Sequence, residues 1–240
     1  MVTRFGVLYL VPCTLGDTAA ELVLPRHVID IARKLRYFVV EHPKTARKFI
    51  SALKPELPIQ SMHFDSLNEH TDPNEMSGML APLEAGEDLG IISEAGCPGI
   101  ADPGADLVML AHRKGIRVVP LVGPSSMLLA LMASGLNGQH FAFHGYLPVA
   151  ESERNRAIAT LEEESAKRNQ TQMFIETPYR NEKLFSALLA QCRPMTKLCI
   201  ATDISLPEEQ IQTRSIELWK SQPIPHLNKR PTMFLLLGAS

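Results

Sequence analysis

Twelve consecutive residues, Ser93-Glu94-Ala95-Gly96-Cys97-Pro98-Gly99-Ile100-Ala101-Asp102-Pro103-Gly104, constrain this chain more than any other stretch. They follow the apolar run Leu89 to Ile92, which reads as a buried strand, and precede Ala105 to Lys114, whose apolar spacing predicts a helix. A strand that empties into a Gly- and Pro-rich loop and then a helix is where open α/β folds place their ligands. Gly96, Gly99 and Gly104 permit positive φ or a close approach to a bound group, while Pro98 and Pro103 stiffen the loop. A plain strand-to-helix turn needs only two to six residues. The length and composition therefore predict a shaped cradle rather than a slack connector.

The junction recurs along the chain. Val7 to Val11 is a strand candidate closed by Pro12-Cys13-Thr14-Leu15-Gly16-Asp17, with a helix expected from near Thr18, capped by Asp17 or Thr18. Arg26 to Arg36 reads as a helix, and Tyr37 to Val40 as a short buried strand that delivers Glu41 at its C-terminal end. In a parallel sheet that carboxylate faces the same crevice as the two loops; a capping or salt-bridged acid is the plainer reading. Pro58 to Met62 is a further strand candidate, and Asp65 to Pro73 a polar loop. Gly115 stops a helix before the strand Ile116 to Val122, and Gly123-Pro124-Ser125-Ser126 opens a helix from Met127 to Ser134 with Ser125 or Ser126 as its cap. Its free amides suit a carboxylate or phosphate. Beyond it lie strand Phe141 to Tyr146, helix Glu153 to Lys167, strand Met173 to Glu176, helix Asn181 to Gln191, strand Leu198 to Thr202, a turn or short helix start at Leu206 to Gln210, and strand Met233 to Leu237. No repeat of fixed period is visible. This order predicts two α/β domains, 1–121 and 122–240.

Composition excludes several classes. The 240 residues can bury a full core, and 45% hydrophobic with 21% charged residues is ordinary for a globular protein. Cys13, Cys97, Cys192 and Cys199 form no C-x-x-C pair, which argues against a zinc ribbon or disulfide framework and for reduced thiols in the cytoplasm. His63, Asp65, Glu69 and His70 lack the spacing of a metal site, so none is expected. The run Val7 to Val11 is too short for a signal-peptide core, and no segment reaches the roughly 18 apolar residues needed to span a bilayer. A soluble protein is expected. The net charge is only -2, yet eight Lys or Arg fall between Arg26 and Lys54, and eleven acids with no Lys or Arg between Pro55 and His112. Such segregation can hold an anionic substrate, or can simply reflect solvated faces of opposite sign.

Five of these segments, in order, resemble the tetrapyrrole methylase superfamily of S-adenosylmethionine-dependent methyltransferases. They are Leu10 to Asp17, Ser93 to Pro98 with Ala101 to Gly104, Val119 to Ser126, Phe174 to Arg180, and Phe234 to Gly238. The branch most resembled is ribosomal RNA small subunit methyltransferase I, which methylates a cytidine ribose 2′-hydroxyl of 16S RNA. The resemblance implies two α/β domains with S-adenosylmethionine in the cleft between them, and a homodimer. By matched position it implies cofactor contacts from Pro12, Ala101, Asp102, Ser125, Ser126, Glu176, Ile204 and Thr232. Where that branch carries Glu-Asp-Thr-Arg, this chain has Glu41-His42-Pro43-Lys44-Thr45-Ala46-Arg47; its first loop ends in Gly16-Asp17 rather than Gly-Asn, and it stops directly after the last strand.

The expected activity is methyl transfer to a ribose hydroxyl of ribosomal RNA. A hydroxyl must lose a proton, and Glu41 and Glu94 are the strand-end carboxylates suited to take it, with Asp102 structural; Arg47, Lys48 and Arg180 are candidates for holding phosphates. Methylation of a tetrapyrrole carbon is the alternative, with the basic residues meeting acidic side chains of the macrocycle. A regulator that binds a nucleotide-like ligand without catalysis is the reading from another class.

Overall fold

The computed structural model describes residues 5–68 and 70–239, so Glu69 of the His63–His70 group lies outside the described residues. The chain divides into two compact units, Met1–Ser125 and Ser126–Ser240. In the first, the elements run β1 (Val7–Leu10), α1 (Arg26–Ala32), β2 (Tyr37–Val40), α2 (Pro43–Ala52), β3 (His63–Ser66), α3 (Pro73–Gly78), α4 (Ala81–Glu84), β4 (Leu89–Ile92), α5 (Gly104–Arg113) and β5 (Arg117–Pro120). The strands form one sheet in the order β3-β2-β4-β1-β5, every pair parallel. Both faces are covered, which is why the strands read as unbroken apolar runs. Along β2, Phe38 and Val40 enter one core cluster with Val11 and Ile50, while Val39 between them enters another with Leu89, Ile91 and Leu107.

The second unit runs α6 (Ser126–Ser134), β6 (Phe141–Tyr146), α7 (Glu151–Arg168), β7 (Thr171–Ile175), α8 (Asn181–Gln191), β8 (Lys197–Thr202), β9 (Gln210–Ser215), α9 (Ile216–Lys220) and β10 (Thr232–Leu237). Its sheet, β6-β7-β10-β8-β9, is parallel only between β6 and β7. Phe174 and Phe234 stack at 6.1 Å between ring centroids in the core beneath α8, and Phe185 meets Trp219 edge-on at 5.6 Å. Among the described residues no helix is long and apolar enough to cross a membrane.

Several local expectations are corrected. No helix starts at Thr18: residues 13–19 stay irregular and lead to a single 3-10 turn, Ala20–Leu22, because Pro25 lies too close for another turn to form. The segment after Pro58 is likewise a 3-10 turn, Ile59–Ser61, and the strand comes later as β3, taking Asp65 out of the expected loop. Helix α2 escapes a reading that looks for Ser or Thr caps, since it opens on Pro43 with His42 before it. Strand β9 and helix α9 fill the stretch after Gln210.

Gly123 packs so closely on Pro12 that an added Cβ would overlap the proline ring. Gly123→Ala should therefore cost about 1–3 kcal/mol in urea unfolding, the usual penalty of forcing extra atoms into a packed contact; wild-type stability would contradict that packing.

Candidate functional site

In a parallel sheet all strands end on one edge, so the loops after β1, β2 and β4 share it. The pairing of β1 with β4 continues past the strands: the Val11 amide donates to the Ile91 carbonyl at 2.9 Å and the Cys13 amide to the Gly96 carbonyl at 2.9 Å. The Cys13 thiol donates to the Ser93 carbonyl at 3.2 Å, and burial pushes its pKa up to about 12. Gly96 at φ 72° and Gly99 at φ 81° take the left-handed conformation that a side chain resists. Gly104 does not; it is glycine because a Cβ there would lie 2.8 Å from Asp102 Oδ1. Asp102 staples the loop from within, Oδ2 accepting from the Gly99 amide at 2.8 Å and Oδ1 from the Gly104 amide at 2.7 Å. Next to it, Ala101 is held at φ 58°, a strained conformation for a residue with a Cβ.

Glu41, Glu94 and Asp102 converge on this edge. Glu41 is half-buried and accepts from the Glu94 backbone amide. Burial pushes its carboxyl above the ordinary carboxylate range and the charges of Asp102 and Glu94 add to the effect, against the pull of that amide and of His42. Burial likewise raises Asp102, against the amides that bind it. Glu94 is exposed, with Oε1 3.5 Å from His42 Nδ1. His42 was not singled out from the sequence; its only signal was its position next to Glu41 at a strand end.

Arg47 and Lys48 lie on α2. Together with Lys44 they occupy positions i, i+3 and i+4, so the three exposed cations form one stripe opposite the buried Ala46 and Ile50. The Arg47 guanidinium lies 5.0 Å from the Phe64 ring centroid. Between α2 and the loops after β1 and β4 is a cavity of about 280 Å³, lined among others by Cys13, Asp17, Thr45, Lys48, Phe49 and Glu94. Pro12 is buried beside Gly123, and Ser125 closes the first unit.

The remaining candidates belong to the second unit. Ser126 is the first residue of α6. Glu176 follows β7 with its side chain buried, Oε1 accepting from the Thr177 amide at 2.7 Å and from Arg180 Nε and Nη2 at 3.0 and 2.7 Å. Two Arg180 donors are therefore engaged by a carboxylate, an i, i+4 pairing that an unstructured reading of the loop hides. Thr232 pairs with Thr202, and the Asp203 amide donates to the Pro231 carbonyl at 3.0 Å, so the turn around Ile204 lies beside the start of β10. Ile204 is buried between Asp203 at φ 49° and Ser205 at φ 67°, and the buried Ser205 Oγ has no hydrogen-bond partner among the described residues. Thr232 Oγ1 accepts from Asn181 Nδ2 at 3.1 Å. The Thr232 hydroxyl donates to the Arg230 carbonyl at 2.9 Å, so the Ser205 hydroxyl and the apolar Ile204 side chain are the groups here that would suit the ribose and adenine of a nucleoside.

Similarity to known proteins identifies the family. The family model described as "Tetrapyrrole (Corrin/Porphyrin) Methylases" matches residues 18–218. A protein of Bacillus subtilis (strain 168) named ribosomal RNA small subunit methyltransferase I is 31% identical over 183 residues, 76% of this chain and 59% of its own. One of the same name from Pseudomonas aeruginosa is 31% identical over 175 residues, 73% and 58% of the two chains. The match thus spans less than two thirds of either relative's length. The namesake from Xylella fastidiosa (strain Temecula1) is 26% identical over 232 residues, covering 97% of this chain and 81% of its own. The solved structure titled "Crystal structure of the methyltransferase CobJ" superposes with a TM-score of 0.64 over 98% of this chain and 95% of that one, at 15% identity, which speaks to the fold alone. With most of its length inside the family model, this chain belongs to the tetrapyrrole methylase family.

Proposed function

We propose that the chain is an S-adenosylmethionine-dependent methyltransferase acting on a ribose 2′-hydroxyl of small-subunit ribosomal RNA. The observation that carries the proposal is the convergence of Glu41 and Glu94 at the ends of parallel strands, in the unit whose helix α2 presents Lys44, Arg47 and Lys48 as a stripe. The names of the relatives support small-subunit ribosomal RNA as the substrate.

Bound S-adenosylmethionine supplies an electrophilic methyl group. The residues proposed to hold it are Pro12, Ala101, Asp102 and Ser125 of the first unit, and Ser126, Glu176, Ile204 and Thr232 of the second. Lys44, Arg47 and Lys48 bind RNA phosphates, with Arg180 adding the donor that Glu176 leaves free. Glu94 or Glu41 would take the proton of the ribose hydroxyl, and the cofactor, when bound, would supply the methyl group that the oxygen accepts. Burial holds the Glu41 carboxyl above the ordinary carboxylate range, which makes it a stronger base than an ordinary carboxylate. Holding the oxygen in line supplies much of the remaining rate. Acting on ribosomal RNA, the protein would work in the cytoplasm, a compartment that keeps thiols such as Cys13, Cys97, Cys192 and Cys199 reduced. A homodimer belongs to the same reading, and sedimentation measures it.

Incubation with methyl-labelled cofactor and small-subunit RNA should leave the label in an alkali-resistant 2′-O-methyl nucleotide. Label recovered instead in a tetrapyrrole, or in no acceptor, would overturn the proposal. Whichever of Glu41→Gln and Glu94→Gln removes the base should lower transfer by roughly 10²–10⁴-fold; full activity in either variant would remove that carboxylate from the mechanism, and full activity in both would leave no carboxylate base. Combining Lys44→Ala, Arg47→Ala and Lys48→Ala should reduce the slope of log affinity against log salt by about 2, and an unchanged slope would place the RNA elsewhere.

Glu41→Gln should also act on stability. The native state holds the Glu41 proton more tightly than the unfolded chain, so the carboxyl lowers stability only once it ionises, as pH rises through its raised titration. The variant should match wild type in acid and exceed it at neutral pH; a neutral-pH loss would show that the burial of Glu41 does not act this way.

A further inference from the structure

We propose that the cavity of about 280 Å³ in the first unit receives an unstacked nucleobase of the RNA, and so fixes which ribose reaches Glu94. The inference rests on the RNA reading above and adds a binding site to it.

Size is the first argument. Small-molecule sites commonly enclose about 300–1,000 Å³, and this cavity falls just below that range. It has room for one base-sized ring system, not for a macrocycle of four pyrroles. The lining is the second argument. A base presents flat apolar faces and a polar edge, and RNA readers meet it with a ring to stack on and side chains that hydrogen-bond the edge. Phe49 and Ala52 supply apolar surface, while Thr45, Asp17 and Glu94 supply a hydroxyl and two carboxylates.

The third argument is continuity with the cations. Lys48 belongs both to the cavity lining and to the exposed stripe it forms with Lys44 and Arg47. Phosphates running along α2 therefore lead to the cavity mouth. Because Glu94 is part of the wall and its backbone amide donates to Glu41, a base seated inside brings its own ribose near both carboxylates.

Ala52 and Thr45 are exposed, so a larger side chain at either can enter the cavity without rebuilding the core. Once the nucleotide that wild type methylates is mapped, A52W and T45W are assayed on the normal RNA and on an RNA lacking the base at that nucleotide. Stacking of one base supports an expected rise in RNA KM of roughly tenfold for either variant, with cofactor Kd unchanged by calorimetry. The abasic RNA should cost wild type a similar factor, and should cost A52W little more.

Wild-type KM in folded variants, full activity on abasic RNA, or losses that multiply would each overturn the site while leaving the RNA reading standing. Weakened cofactor binding in A52W and T45W alike would overturn it too, assigning the cavity to the cofactor's adenine. Wild-type protein that transfers no methyl to RNA would refute the function itself, and this site with it. Should A52W fail to fold, T45W and the abasic RNA on wild type decide the question.

Discussion

The site depends on the way the first and fourth strands stay joined after both have ended. Hydrogen bonds from the Val11 amide to the Ile91 carbonyl and from the Cys13 amide to the Gly96 carbonyl, with the Cys13 thiol donating to the Ser93 carbonyl, keep the two loops side by side. A loop leaving a strand ordinarily diverges, and its side chains with it. Here the path of residues 11–13 is tied to that of residues 91–96, and Glu94 stays within reach of Glu41 from the neighbouring strand. Burial contributes chemically as well as mechanically: a thiol whose pKa is pushed up to about 12 remains protonated, so Cys13 keeps the hydrogen it donates.

Order in the loops is achieved against local strain. Ala101, Asp203 and Ser205 are non-glycine residues in the left-handed region, and all three lie within or beside segments proposed to meet the cofactor. Such conformations cost about 1–3 kcal/mol each and persist only where their surroundings over-determine them. At Ala101 the surroundings are Asp102 and the amides of Gly99 and Gly104; at Asp203 they are the bond from its amide to Pro231 and the ion pair of Asp203 with Arg230 at 2.6 Å. Pre-formed loops lose less entropy on binding than loose ones.

Much of the fold could be read from the sequence because a parallel sheet covered on both faces leaves an unmistakable trace. Strands such as Tyr37–Val40 and Leu89–Ile92 are apolar at every position, and Gly86 and Gly115, both at positive φ, follow helices α4 and α5. Strand β3 (His-Phe-Asp-Ser) was misplaced because it lies at the sheet edge and remains largely exposed, so neither an apolar run nor a clean alternation marks it. Helix α2 was missed because Pro43 starts it where a Ser or Thr cap would be sought, and its cations were read as a charge run before they could be read as a stripe. Strand-end logic placed the carboxylates of the candidate site. Pairings that need three dimensions stayed hidden: His42 against Glu94, Arg180 turned onto Glu176, and a cavity whose walls come from residues 13–18, 45–52 and 92–94.

The loops proposed to hold the cofactor are proposed to be shaped for an adenosyl sulfonium compound before it arrives. The most direct measurement is calorimetric titration of the purified chain with S-adenosylmethionine and with its demethylated product. Saturable heat at one site per chain, lost when Thr232 and Asp102 are both replaced by alanine in protein that remains folded, is the predicted result. No heat from either compound with folded wild-type protein would contradict the central claim.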